Sequence, residues 1–215
     1  DKGEAEAPVA DDAVAIAGSE GGAGASENAD ALPVARHQEA VMLTPVERLA
    51  AKADGKQREL VENQRGITYF GLFGPYLAGA KKIVVEDAYV RKPYQLRNLA
   101  EFLEMLLRCK NPDEDVAVHL VTGHNEPGFM EAQLDGLNEL ASTFSQLGVN
   151  LTYEFRDTLH DRSITADTGW EILPGRGLDI FQKFVDGDWL NPLLRHQQLR
   201  RVKECKVTYQ RVREK

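Results

Sequence analysis

Between residues 82 and 155 the chain alternates short apolar runs with long amphipathic ones, and that order constrains the fold more than anything else in it. KIVVED (82–87), VAVHLVTG (116–123) and VNLTYEF (149–155) have strand length and strand composition. Between them lie YQLRNLAEFLEMLLRC (94–109) and PGFMEAQLDGLNELASTFSQLG (127–148). The first places Leu96, Leu99, Phe102, Leu103, Leu106 and Leu107 at helical spacing, and the second carries Gly148 where a helix C-terminus is expected. Strands separated by helix-length crossovers give an α/β chain. After residue 155 the rhythm changes. His160–Leu173 alternates around Thr168-Gly169 as a strand hairpin does, and KVTYQRV (206–212) reads as a last strand. The expected architecture is therefore an α/β mixed sheet flanked by helices.

Three segments follow from composition. Residues 1–31 hold ten Ala, five Gly, eight acidic side chains, one Lys and no aromatic residue, too little apolar surface to offset the entropy of ordering. Residues 1–43 are expected to be a disordered acidic linker, and a chain that opens at Asp1 with such a linker reads as part of a longer protein. Residues 44–65 form a helical lead-in, where Thr44, Pro45 and Glu47 make a capping-box start and Gly55 divides the stretch into two short helices. Residues 66–215 are the folded domain.

The 215 residues carry a net charge of −8, yet residues 195–215 hold eight Lys or Arg against two Glu. An acidic body with one basic end argues against general polyanion binding and for a local positive patch. No run approaches the roughly 18 apolar residues of a membrane span, and DKGEAEAPVADD has no signal-peptide core. Cys109 and Cys205 are read as reduced thiols, consistent with a cytoplasmic setting. No His, Cys and carboxylate spacing suggests a metal, and no cofactor is expected.

HDRSITADTGW (160–170) carries the chemistry. Phosphoryl transfer by histidine needs an imidazole facing phosphorus, a cation on the non-bridging oxygens and a carboxylate that orients the pair. His160 and Arg162 project together if both lie on one strand, and Asp167 rejoins them only if the chain bends. The bland alternative is a surface strand with an Arg162–Asp167 ion pair. Further anion contacts are expected at Gly175, Arg176 and Gly177 in PGRGLDIF, where glycines admit close backbone approach. Arg91 and Lys92 follow Glu86 and Asp87 at a strand end, where α/β sheets open onto ligand crevices. The basic tail reads as a charged edge strand, and Trp170 and Trp189 as core or dimer-interface residues.

H-x-R-x4-D at His160, Arg162 and Asp167 differs by one residue from the H-x-K-x4-D motif of the phospholipase D superfamily. HDRSITADTGWEILPGRGLDIF, LFGPYLAGAKKIVVEDAYVR (72–91) and QLRNLAEFLEML (95–106) resemble the phospholipase-D-like domain at the C-terminus of MIT-domain proteins, over residues 66 to about 212. Ala88 stands where that family usually has Pro.

The resemblance implies a phospholipase-D-like fold, dimerisation and binding of anionic lipid head groups without demonstrated hydrolysis. It places eukaryotic relatives at membranes in late cytokinesis, beside an MIT domain that recognises ESCRT-III tails, and bacterial ones at the end of AAA+ or Lon-like ATPases. The linker shows no MIT helix bundle, so the bacterial context is the expectation. Arginine holds phosphate oxygens but is effectively never deprotonated, and none of the other histidines has a basic residue two positions on. The expected function is a non-catalytic recognition and oligomerisation module for a phosphate-bearing partner, anionic lipid or nucleic acid. The alternatives are a phosphodiesterase assembled across a homodimer, with His160, Arg162 and Asp167 catalytic, and a purely structural oligomerisation cap.

Overall fold

The computed structural model describes residues 43–183 and 191–212. The chain divides into two units, Asp1–Ala40 and Val41–Lys215, and every described residue belongs to the second. The expected linker and Trp189 lie outside the described residues.

The apolar runs become strands β2 (Lys82–Asp87), β3 (Val116–Thr122) and β4 (Val149–Phe155), parallel and adjacent. Two long helices cross between them, α4 (Pro93–Leu107) and α5 (Met130–Ser145), after the short helices α2 (Tyr69–Leu72) and α3 (Gly74–Leu77). The hairpin forms β5 (Arg162–Ala166) and β6 (Trp170–Pro174), and β5 pairs antiparallel with β2. With β1 (Arg58–Leu60) and β7 (Cys205–Arg211), the sheet runs β1-β7-β6-β5-β2-β3-β4. It is thus half parallel and half antiparallel, and the two halves meet between β2 and β5.

Alternation sets the layers. Ile83, Val85, Val116, Val118, Leu120, Val149, Leu151, Ile164 and Ile172 point to one face, where Leu99, Phe102, Leu103, Leu106 and Leu137 of the long helices bury against them. Lys82, Val84, Ala117, Asn150 and Thr152 occupy the opposite face and are exposed. The buried face is continuous, so register is fixed: a slip of one residue would move every apolar side chain to water.

Two expectations for the ends change. Helix α1 (Pro45–Ala50) starts on the Thr44–Glu47 capping box, but the second lead-in helix is strand β1, whose Leu60 is buried. Gly55, at φ +65°, turns the chain there and packs under Trp170. Nor is the basic tail an edge: β7 lies between β6 and β1, and the edges are β1 and β4. Three of its described cations, Arg200, Lys203 and Arg211, are used inside the molecule. Arg200 bonds Glu101 at 2.8 and 2.9 Å, and Arg211 lies 4.0 Å over the Trp170 ring. Trp170 is half-buried against Tyr76, which itself stacks on Tyr209.

Candidate functional site

Parallel strands bring all their carboxyl ends to one side, and ligand crevices open there. On that side the turns after β2, β3 and β4 meet the start of β5 and the end of β6. The junction between the sheet halves puts Asp87, the last residue of β2, directly across from Arg162, the first of β5.

Asp87 ends the buried face of β2 with only 4% of its side chain exposed. One carboxylate oxygen accepts the Tyr89 N–H and the other the Leu178 N–H, each at 3.0 Å. Arg162 Nε lies 3.7 Å away, an ion pair beyond hydrogen-bond range. Burial pushes the Asp87 carboxyl up, and the two N–H groups and Arg162 pull it partly back. The carboxylate thus fastens the turn after β2 to the PGRGLDIF loop. Gly177, at φ +61°, makes this possible, since a Cβ there would lie 1.9 Å from Asp87 Oδ2.

Arg162 is 25% exposed. Its Nη1 donates to the Gly175 carbonyl at 2.9 Å, and its guanidinium carbon sits 4.4 Å over the Tyr89 ring. Its other terminal nitrogen has no partner among the described residues. His160 precedes β5, in the loop from β4, and is exposed without a protein hydrogen bond among the described residues. The two nevertheless share a cleft of ≈ 360 Å³, with Tyr89, Asp161, Leu173, Pro174 and Gly175.

Asp167 does not join them. β5 runs straight from Arg162, so Asp167 lies at its far end and accepts the Lys81 N–H at 3.0 Å; the bend falls only afterwards, at Thr168-Gly169. The motif closes on a different carboxylate, Asp87. Arg176 also turns away, donating to the Glu204 carbonyl at 3.0 Å in a separate cleft with Glu59, Glu62 and Lys206. Arg91 stays near the rim centre, its Nε on the Ala88 carbonyl and its guanidinium 5.5 Å from the Tyr89 ring. Lys92 lines a neighbouring hollow with Tyr94, Asn125 and Phe129, and Phe129 is 60% exposed.

Sequence reasoning missed three features of this rim. Asp87 was visible as a carboxylate ending a strand, but nothing local showed it reaching 91 residues forward to Leu178. Tyr89, 48% exposed between two guanidinium groups, gave no signal of its own. His124 lacks the H-x-R spacing, yet it follows β3 directly and lies 3.0 Å from Asp157, and its position after a parallel strand was the signal available.

A family profile described as the phospholipase D-like domain at the C-terminus of MIT matches residues 66–211. MIT domain-containing protein 1 of Mus musculus is 38% identical over 136 residues, which cover 61% of this chain and 54% of the relative. The chain therefore spans about half the length of that relative. The matched stretch takes in six of the seven strands and the whole rim, and on it the chain belongs to the family of phospholipase D-like domains found at the C-terminus of MIT.

Proposed function

We propose that this domain is a non-catalytic recognition module that holds the phosphate groups of an anionic lipid surface on its carboxyl-end rim. One observation carries the reading: Arg162 is braced from below by buried Asp87 and tied to Gly175, yet keeps one terminal nitrogen free in an open cleft shared with His160. A guanidinium fixed on one side and open on the other is suited to bind an oxyanion.

The same geometry disfavours turnover. No carboxylate among the described residues orients the His160 ring, Asp167 is committed to Lys81, and Arg162 cannot shuttle protons. Lipid is favoured over nucleic acid because exposed apolar Phe129 and amphipathic Tyr89 accompany the rim cations, a pairing that suits a bilayer interface. In this reading the module works as a homodimer at the cytoplasmic face of a membrane, carried by a larger polypeptide. The relative is a mouse protein named for an MIT domain, which gives no support to a bacterial AAA+ or Lon-like parent.

Co-sedimentation with phosphatidylglycerol vesicles tests the proposal. Arg162→Ala is expected to weaken retention about tenfold, the worth of one charge-assisted contact, and added salt to weaken it further. Retention equal to the parent chain overturns the reading, and tighter binding to single-stranded oligonucleotide than to vesicles replaces lipid with nucleic acid. Release of nitrophenol from bis-p-nitrophenyl phosphate, abolished by His160→Ala, would replace it with a phosphodiesterase.

A further inference from the structure

His124 lies in the turn after β3, and Asp157 in the loop after β4. The His124 backbone N–H donates to Asp157 at 3.0 Å, and ring Nδ1 lies 3.0 Å from both carboxylate oxygens. The ring stacks on Phe155 at 4.4 Å and 17°, with 38% of the side chain exposed. Its orientation is therefore fixed from two directions, and Nε2 has no partner among the described residues. Asp157 is held below the usual carboxylate range, chiefly by the His124 backbone N–H and then by the ring, so it stays ionised wherever an imidazole titrates.

A carboxylate at Nδ1 decides the tautomer. The neutral ring keeps its proton on Nδ1, facing Asp157, and turns a bare lone pair outward at Nε2. Only the imidazolium presents an N–H there. Beside it Arg91 lies so close over Gly123 that a Cβ would come 2.2 Å from Nη2. Arg91 Nε is occupied by Ala88, and its terminal nitrogens have no partner among the described residues. The charged groups around His124 are Asp157 from the β4–β5 loop, Arg91 from the β2–α4 loop, and Glu126 two residues along its own turn.

We propose that Arg91 and His124 form a second phosphate-oxyanion site on the rim, opened by one proton: imidazolium Nε2–H donates to the anion, and the neutral ring repels it. This rests on reading the rim as an anion-binding surface and adds its regulation. Acid is then expected to strengthen attachment, and Asp157 to set the gate by dictating which nitrogen carries the neutral ring's proton.

Retention of the full chain on phosphatidylglycerol vesicles is compared at about pH 5.5 and about pH 8. Retention by the parent chain is expected to fall about tenfold between them, the worth of one charge-assisted contact. His124→Gln should remove most of that fall, which also subtracts any share due to His160. Asp157→Asn frees the neutral ring to place its proton on Nε2, so binding at the higher pH should rise toward the acid value. A parallel arm follows His124 by NMR with dimethyl phosphate, an anion at both pH values. An upward displacement of its titration shows that a free phosphodiester suffices, and retention on vesicles alone shows that a surface is needed. An undiminished pH dependence in His124→Gln overturns the gate and leaves the rim reading standing. No binding in either arm at either pH overturns both.

Discussion

At the scale of single residues, the site depends on one that contributes no side chain. Gly177 combines a left-handed backbone with a Cα pressed against a buried carboxylate, so Gly177→Ala faces both backbone strain and a collision that Asp87 cannot evade. The expected loss is about 3 kcal/mol, as for a substitution combining strain with a disrupted buried polar group. It should appear in urea as a lower midpoint with an unchanged slope, and an unaltered midpoint would show that the loop is not fastened through Asp87. The contrast with the motif is instructive. His160 and Arg162 were legible because they are two residues apart. The Asp87 clip was not, because its partners lie at positions 89, 162 and 178, and only the sheet register brings them together. Asp167 misled for the complementary reason: closeness in sequence along a straight strand is separation in space, about 3.3 Å for every residue.

At the scale of elements, long periodic segments declared themselves and short ones did not. The amphipathic spacing of α4 and the apolar runs of β2, β3 and β4 came through because each buries a continuous face. β1 is only three residues long, with the burial pattern of one apolar position, so nothing periodic announced it. Its role is tertiary. It covers the edge of β7 through pairs from Arg58↔Val207 to Leu60↔Cys205, while Tyr76 bonds Asp54 at 3.0 Å. A chain beginning at residue 62, near the start of the family match, would lose both α1 and this cover. It is expected to melt at lower temperature and to associate with rising concentration, because an uncovered strand edge pairs with its own kind. Thermal unfolding with light scattering checks this, and a monomer that melts unchanged would make the lead-in dispensable.

At the scale of the whole molecule, the mixed sheet concentrates order at its middle and leaves the candidate site at one end. β5 is the central strand, flanked by β6 and β2, and Ile164, Ile172 and Val85 on these three strands are all buried. Hydrogen exchange should be slowest at those residues and faster in edge strand β4, and equal rates across the sheet would deny it a stable centre. The α/β class and the site's end of the sheet could be inferred from the order of elements. The direction in which β5 joins β2 could not, since a hairpin specifies its own pairing but not its neighbour.

That join has a consequence for how such a domain can diversify. Asp87 secures the PGRGLDIF loop to the sheet without using the segment from Arg156 to Asp161, which crosses the same rim and carries Asp157 and His160. The crossing segment has fastenings of its own, Arg156 N–H on the Thr122 carbonyl and Asp157 on the His124 N–H, so the two loops are anchored independently and the remaining positions of the crossing segment can change without loosening the Asp87 clip.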